Sequence, residues 1–307
     1  MGVRPCPSIF EGIKLAPDMQ SATIVITTKD RREELRMAIF SALKQDAQVE
    51  VLVVDDGSTD GTAEMVCKEF PSVRFYRDET SRGYIVQRNR AARLATAPII
   101  ISIDDDATFS SPQTVRQVLA EFNDEHVGAV AIPYVNIRQD NVVRQEAPGN
   151  TGLYITASFV GTAYAVRKDV FNRIGGFREI LFHQGEEDDF CLRMLAASLW
   201  TRLSTADAIH HFESPKRDLQ RMDVYGRRNN VLFVWLNVPW PWFPIHMAGT
   251  CLKGIWFGCR VGRPLRMIRG LLAGYGTILQ GKAHRQTISG ECYRNWRDLR
   301  RNGPYLV

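Results

Sequence analysis

Short apolar runs rich in β-branched residues alternate, in the first half of the chain, with longer segments whose apolar residues recur at helical spacing. Leu35, Ile39 and Leu43, for example, fall on one face of a predicted helix after the first run. The alternation predicts βαβ units, and hence an α/β fold with a mostly parallel sheet flanked by helices. The predicted strands are residues 23–28, 49–54, 73–76, 99–103 and 127–132.

The pattern is less regular in the second half of the chain. A helix at residues 168–174 is predicted to end at Gly175 and Gly176, because glycine is favoured just after the last turn of a helix. The other predicted elements are a strand at 158–166, a helix at 187–197 and a strand at 199–204.

The last part of the chain combines apolar, aromatic and basic residues. It has no window of ~18–20 unbroken apolar residues, so no transmembrane helix is predicted. Tryptophans beside a basic helix favour a segment that lies on an anionic membrane surface; the alternative is a helical cap packed on the preceding domain. From Tyr225 onwards the chain has 13 Lys and Arg but only two acidic residues, so this segment is strongly basic. The excess of positive charge fits either an anionic partner or a solvated basic face.

Polar clusters follow three of the predicted strands. They are Thr27-Thr28, Asp55-Asp56 and Asp104-Asp105-Asp106. Ligands of open α/β sheets bind beyond the carboxyl ends of the strands, so these clusters predict one common site. Three adjacent carboxylates repel one another unless a cation lies among them. Asp104 and Asp106 are candidate oxygen ligands for a divalent ion, and the alternative is an acidic turn followed by a helix cap.

Together these features resemble the family 2 inverting glycosyltransferases, which have the GT-A fold, a Rossmann-like arrangement. The resemblance covers roughly residues 21–230. It rests on Thr27-Thr28 with Arg31, on the segments 55–60 and 102–106, on Gly175-Gly176-Phe177, and on the acidic segment 185–193. It implies transfer of a sugar from a nucleotide-diphosphate donor, with UDP or dTDP favoured, to a hydroxyl of a glycan or lipid-linked glycan. Mn²⁺ or Mg²⁺ is the implied cofactor.

The resemblance also implies roles for individual residues. Asp104 and Asp106 correspond to the pair of acids that places the ribose and the metal, and His211 or His210 would complete the metal site. The implied nucleotide-binding residues are Thr27, Thr28, Arg31, Asp55, Asp56, Arg82, Gly83, Arg88, Asn89, Asp104 and Asp105. Gly175, Gly176, Glu186, Asp189 and Arg228 would line the donor and acceptor pocket.

The resemblance implies that the catalytic base comes from the acidic segment. At the family's usual position this chain has Glu187 rather than Asp, and a shift of one residue would make Asp188 the base. The acids would also favour a helix N-terminus electrostatically. A catalytically weak sugar-nucleotide-binding protein and a nucleotidyltransferase are the alternative functions, although the segment after the first strand has no glycine, which disfavours the latter.

The expected organisation is an N-terminal leader at residues 1–20, the GT-A domain at 21–230 and a helical extension at 231–307. Six scattered cysteines, with no CxxC pair, fit reduced thiols, and the N-terminus does not resemble a signal peptide. We therefore expect a cytoplasmic protein at the inner face of the cell membrane. No nucleic-acid-binding motif accompanies the basic charge, so no nucleic-acid partner is expected.

Overall fold

The chain forms a nine-stranded central sheet in a computed structural model that describes residues 20–213 and 218–307. The leader expected at residues 1–20 lies outside the described residues except for Gln20. The sheet has the strand order β13-β9-β11-β6-β10-β4-β1-β2-β3. Its strands are β1 (Ser21–Thr28), β2 (Gln48–Asp55), β3 (Arg74–Arg77), β4 (Ile99–Asp104), β6 (Val127–Ala131), β9 (Tyr154–Thr156), β10 (Ala163–Arg167), β11 (Trp200–Leu203) and β13 (Tyr305–Leu306).

The first four strands in this sheet, β1 to β4, pair in parallel. Their side chains alternate between two apolar layers: Ile24 and Ile26 face one layer and Val25 faces the other. The helices connecting and covering the strands of the large sheet are α1 (Arg32–Leu43), α2 (Thr62–Glu69), α3 (Tyr84–Leu94), α4 (Thr114–Ala120), α5 (Lys168–Arg173) and α6 (Glu186–Ala196). Helices cover both layers, which confirms the predicted α/β fold.

The other half of the large sheet is mixed. Strand β10 runs antiparallel to both β4 and β6, and β11 is parallel to β6. Strand β10 occupies only the last part of the predicted strand at 158–166. Residues 157–162 instead form a bend and turn that contain Gly161.

A second, four-stranded sheet lies beside the first. Its order is β5-β12-β7-β8, with β5 (Ala107–Phe109), β7 (Tyr134–Asn136), β8 (Val143–Arg144) and β12 (Ile209–His211). Strand β12 lies between β5 and β7, so His211 pairs along the backbone with Ala107 and Asn136. This pairing brings the end of β12 next to the acidic segment after β4.

The C-terminal part is helical. It consists of α7 (Leu219–Asn237), α8 (Trp242–Arg260), α9 (Pro264–Leu279) and α10 (Gly290–Asn302). Helix α7 runs through residue 230, where the domain boundary was expected. Helices α7 and α9 approach closely because α9 carries glycines: a Cβ at Gly270 would lie 2.5 Å from the Val224 carbonyl oxygen, and one at Gly274 2.8 Å from Val231 Cβ.

The prolines of this region do not break α8. Pro244 lies in the first turn of α8, where the missing N–H has no intrahelical partner to lose. Strand β13 then returns to the large sheet and pairs with β9. Over residues 20–213 and 218–307, none of the helices combines the length and the hydropathy that crossing a bilayer requires.

Candidate functional site

A cleft of about 800 Å³ opens at the carboxyl ends of β1 and β4. It is bounded on the other side by β7, β12 and the loop before α6. Eleven of the residues singled out in the sequence line it: Thr27, Thr28, Arg31, Asp56, Gly83, Arg88, Asp104, Asp105, Asp106, Glu187 and His211. The sequence clusters that follow β1, β2 and β4 therefore do converge on one site.

Asp104, Asp106 and His211 form a candidate metal centre. One ligand atom from each lies within 4.8 Å of the others. The His211 Nε2 atom is 3.2 Å from Asp106 Oδ1, and its Nδ1 atom is 2.7 Å from the Asn136 side-chain oxygen. An amide oxygen accepts from Nδ1–H, which fixes the ring with Nε2 directed at the carboxylates. His210, the alternative ligand, is the neighbouring strand residue and does not line the cleft.

Arg31 neutralises part of the acidic triplet. Its Nη1 atom is 2.6 Å from Asp106 Oδ2 and 3.1 Å from Asp105 Oδ1. Burial raises the pKa of Asp105 to about 7, despite the opposing charge of Arg31 and a hydrogen bond from Thr28. Burial also acts on Asp106, but the hydrogen bond with His211 and the charge of Arg31 outweigh it and hold the pKa of Asp106 at about 2. Asp106 is thus the more acidic member of this pair.

Asp56 shapes the loop on the β2 side of the cleft. Its carboxylate accepts hydrogen bonds from Ser81 Oγ (2.6 Å) and from the backbone N–H groups of Arg82 (2.7 Å) and Gly83 (2.9 Å). The side-chain amide of Gln87 donates a fourth, at 2.7 Å. These four bonds use the lone pairs of the carboxylate, so Asp56 fixes the course of residues 81–83 at the cleft wall.

Arg88 is a buried cation that joins the two acidic segments. Its Nη2 atom is 2.7 Å from Asp104 Oδ1, and its Nη1 atom is 3.2 Å from Glu186 Oε1. Nη2 also donates to the carbonyl oxygen of Gly161 at 3.1 Å. Although burial opposes the charged form, Asp104 and Glu186 raise the pKa of Arg88. A permanently charged guanidinium therefore fixes the end of β4 relative to the start of α6.

Glu187 faces the cleft beside this arginine. The N–H of Gly161 lies 3.2 Å from Glu187 Oε1 and is its hydrogen-bond donor. Burial and the neighbouring charge of Glu186 raise the pKa of Glu187 to about 8, although Arg88 acts in the opposite direction. Asp188, the alternative base, lines a separate cavity and is ion-paired with Arg300 of α10.

The remaining residues from the sequence prediction lie outside the cleft lining. They are Asp55, Arg82, Asn89, Gly175, Gly176, Glu186, Asp188, Asp189, His210 and Arg228. Asp55 is fully buried and accepts from the backbone N–H of Ser58 at 2.9 Å. Asp189 is buried between Arg178, Arg193 and Asn237. Arg228 donates to the carbonyl oxygen of Ile180.

Asn89 of α3 is hydrogen-bonded to the residue that directly follows the Gly175-Gly176 turn. Asn89 donates to the Phe177 carbonyl oxygen (2.8 Å) and accepts from the Phe177 N–H (2.9 Å). Gly176 has φ +64°, and a Cβ there would lie 2.8 Å from Asn89 Oδ1. The glycine is therefore required by both its backbone conformation and the close approach of Asn89.

Several cleft residues were not singled out in the sequence. Thr162 donates to Asp104, and Asn136 orients His211. Tyr84 donates to Glu186 at 3.2 Å and contacts His183 edge to face. Burial and the charge of Arg221 lower the pKa of His183 to about 4, so this imidazole is neutral at neutral pH. Only Tyr84 had a sequence signal, since it directly follows Gly83; the others depend on long-range pairing.

Comparisons with known proteins bear on this geometry. Residues 23–181 match the sequence model of the family described as "Glycosyl transferase family 2". The succinoglycan biosynthesis protein ExoU of Rhizobium meliloti (strain 1021) is 32% identical over 101 residues, which are 32% of this chain and 29% of that protein. This chain spans less than a third of the length of the first curated relatives that it matches.

Solved structures resemble the whole fold. The mannosyltransferase PcManGT from Pyrobaculum calidifontis, in complex with GDP-Man and Mn²⁺, superimposes with a TM-score of 0.58 at 19% identity, covering 88% of this chain and 82% of that one. S. aureus TarS 1–349, in complex with UDP-GlcNAc, has a TM-score of 0.60 at 17% identity, covering 85% of this chain and 81% of that one. The fold is thus that of the GT-A glycosyltransferases, and the chain belongs to glycosyl transferase family 2.

Proposed function

We propose that this protein transfers a sugar from a nucleotide-diphosphate donor to an acceptor hydroxyl, with inversion at the anomeric carbon and with the help of Mn²⁺ or Mg²⁺. The observation that carries the proposal is the pairing, within one cleft, of the Asp104–Asp106–His211 cluster with the carboxylate of Glu187. The cluster suits a cation that is bound to a diphosphate, and the Glu187 carboxylate suits a proton acceptor. Family membership supports the same reaction class.

The residues of the cluster fit a divalent metal. Two carboxylates and an imidazole offer oxygen and nitrogen ligands, and Asn136 orients the imidazole as outer-shell partners of metal sites do. A bound ion would supply positive charge to the departing nucleoside diphosphate. Arg31, which is partly exposed at the same carboxylates, is available to add a guanidinium to that phosphate group.

Glu187 would accept the proton of the acceptor hydroxyl as the oxygen attacks the anomeric carbon. A raised pKa suits this task, because the carboxylate then has enough basicity near neutral pH. The N–H of Gly161 holds the carboxylate in position, and Arg88 in turn holds Gly161 through its carbonyl oxygen. One displacement with a base on the acceptor side inverts the anomeric centre, and no covalent sugar intermediate is required.

The donor is proposed to be a UDP- or dTDP-sugar. Thr27, Thr28 and Gly83, which the family resemblance assigns to nucleotide binding, line the same cleft as the cluster. TarS in complex with UDP-GlcNAc supports a uridine donor, whereas PcManGT in complex with GDP-Man supports including guanosine donors in any test. A glycan or lipid-linked glycan is the proposed acceptor.

The C-terminal helices support a position at the inner face of the cell membrane. Helices α8 and α9 expose an apolar face, which we define by Ile245, Leu252, Trp256, Leu265, Leu272 and Leu279; these side chains are 63–86% exposed. Arg260 and Arg269 are exposed on the same two helices, whereas Arg263, just before α9, and Arg266 are ion-paired with Asp223 of α7. Exposed apolar and basic side chains on adjacent helices are typical of segments that bind anionic lipid surfaces.

The test is release of nucleoside diphosphate from a panel of UDP-, dTDP- and GDP-sugars, with Mn²⁺, Mg²⁺ or chelator. We expect metal-dependent release from one donor, lost in Asp106→Ala and in Glu187→Gln. Donor binding without release from any donor, even with membrane extract as acceptor, would favour the sugar-nucleotide-binding alternative. Release of pyrophosphate from a nucleoside triphosphate and a sugar phosphate would favour the nucleotidyltransferase.

A further inference from the structure

A second cavity, of about 850 Å³, lies between α6, α7, α8 and α10. We call it the C-terminal cavity. Six basic side chains line it: Arg227, Lys253, Arg294, Arg297, Arg300 and Arg301. Its lining contains only two carboxylates, those of Asp188 and Asp298. Its volume is in the range of small-molecule binding sites.

The two carboxylates do not neutralise this cavity. Asp188 is ion-paired with Arg300, and Asp298 accepts hydrogen bonds from Asn302 and Tyr305, each at 2.7 Å. Within residues 20–213 and 218–307, no carboxylate lies at ion-pairing distance from Lys253, Arg294 or Arg301. The guanidinium groups of Arg297 and Arg300 lie over the rings of Trp242 and Trp296, at 5.6 and 5.2 Å from the centroids. The cavity therefore keeps a surplus of positive charge.

The C-terminal cavity adjoins the donor cleft. Gln184 lines both, and the consecutive residues Glu187 and Asp188 at the start of α6 face one cavity each. A molecule held in the C-terminal cavity can thus extend a hydroxyl towards Glu187 past the N-terminus of α6. This relation singles out the acceptor rather than the donor as the occupant.

Helix α8 connects this cavity to the apolar face. His246, Thr250 and Lys253 line the cavity at helical spacing. Ile245, Leu252 and Trp256, which belong to the apolar face, lie about 100° further round the same helix. If the apolar face contacts a bilayer, the cavity entrance lies next to the headgroup region, where the phosphate of a lipid is found.

We propose that the C-terminal cavity binds a phosphate ester group of the acceptor, with Arg294, Arg297 and Arg301 as its main ligands. The guanidinium group of arginine can donate two parallel hydrogen bonds to the oxygens of a phosphate. Six cationic side chains carry more positive charge than a single carboxylate ligand would neutralise, which favours a phosphate as the ligand. The acceptor assignment rests on the proposed sugar transfer, whereas phosphate binding itself does not. The phosphate comes either from a lipid-linked acceptor at the membrane or from a water-soluble phosphorylated one.

The test measures binding, with no donor present and with chelator to exclude metal. The soluble probe is glycerol 3-phosphate, followed by titration calorimetry. The lipid probe is phosphatidylcholine vesicles with a minority of phosphatidic acid, compared with phosphatidylcholine vesicles in a flotation assay. The variant is Arg294→Glu with Arg301→Glu, and the matched control is Lys68→Glu with Arg93→Glu, two exposed residues that line neither cavity. Thermal unfolding checks that both variants are folded.

We expect the cavity variant to bind at least about tenfold more weakly than wild type and the control variant, the effect of losing one charge-assisted hydrogen bond. Loss of glycerol 3-phosphate binding would identify a site open to soluble phosphate esters. Loss confined to phosphatidic acid vesicles would identify a site for lipid-borne phosphate. Equal weakening in both variants, or no binding in either arm, would overturn the proposal. Because neither arm needs turnover, failure of donor hydrolysis is a separate result.

Discussion

The Nη1 atom of Arg31 lies 2.6 Å from the Oδ2 atom of Asp106. A guanidinium thus contacts the carboxylate that is expected to hold the metal. A divalent ion bound at Asp106 would be repelled by this positive charge. The arginine therefore stabilises the acidic cluster of the metal-free protein and would compete with an ion for Asp106.

Replacing Arg31 with Met is expected to tighten Mn²⁺ binding to the donor-free protein. The affinity should rise by about threefold to tenfold, because the substitution removes a like-charge repulsion of about 1 kcal/mol at a partly exposed site. Electron paramagnetic resonance of free Mn²⁺ measures it directly. Asp106→Asn, the comparison variant, should lose Mn²⁺ binding. Weaker binding in Arg31→Met would show that the arginine supports the metal site rather than competing with it.

Asn136 is expected to act on the metal through His211. Asn136→Ala removes the acceptor at 2.7 Å from Nδ1, so the imidazole loses its fixed orientation. Mn²⁺ affinity should fall by about 10–100-fold, as for other outer-shell partners of metal ligands. His210→Ala is the matched control and should leave affinity unchanged. Equal losses in both variants would mean that the small sheet, and not the histidine orientation, is being disturbed.

If Glu187 is the base, the kcat/KM of the enzyme should depend on pH near 8. The base works only when ionised, and its pKa is raised to about 8, so kcat/KM should rise with pH up to about 8 and then level off. Glu187→Gln should lower turnover by about 10²–10⁴-fold. Glu186→Gln keeps the hydrogen-bond acceptor for Arg88 but removes the adjacent negative charge. That variant should therefore shift the rising limb to lower pH.

The pH profile of Asp188→Asn separates the two candidate bases. Asp188 lines the other cavity, so this variant should keep the rising limb seen in wild type. A profile that is unchanged in Glu187→Gln but abolished in Asp188→Asn would transfer the role of base to Asp188.

Gly161 is expected to tolerate no side chain. A Cβ there would lie 2.7 Å from both Arg88 Nη1 and Glu187 Oε1, although the backbone itself can accept alanine. Gly161→Ala should therefore displace the carboxylate and reduce turnover by about 10²-fold, the usual cost of a small misplacement. Gly276→Ala in α9 has no atom within 4 Å of its new Cβ and is the control. Steady-state kinetics with the identified donor measures the difference.

The apolar face of α8 and α9 should decide membrane binding. Leu252→Glu with Leu272→Glu is expected to reduce cosedimentation with vesicles of phosphatidylcholine and phosphatidylglycerol by at least about tenfold, because each buried leucine contributes about 1.5–3 kcal/mol. Met37→Glu with Phe40→Glu, two exposed residues of α1, is the matched control. Equal retention of both variants on vesicles would contradict a role for this face.

The parallel part of the sheet and the centre of the site were predictable from sequence, because both follow from local patterns. Each parallel strand is an apolar run, and each run ends in polar residues that must meet at one edge. Arg31 was named through the family resemblance, whereas Asp104 and Asp106 were identified in this way. Their residue types reveal their chemistry without knowledge of distant contacts.

Other parts of the site depend on pairing between distant segments. Strands β5, β7 and β12 have three residues each, too short for a recognisable pattern. Asn136 gains its role because β7 lies beside β12, and Thr162 because the turn before β10 meets the end of β4. Asp55 and Asp56 are adjacent in sequence, but only Asp56 lines the cleft, and only the fold distinguishes them.

The separation of Asp104 and His211 along the chain has a consequence for the order of events during synthesis. Strands β1 to β4 are complete when the ribosome has made Asp104, so this side of the cleft can form early. The third residue of the candidate metal cluster is made only later, with β12, which lies between β5 and β7. A nascent or truncated chain that stops before β12 would therefore carry the acidic segment without the histidine that completes the cluster.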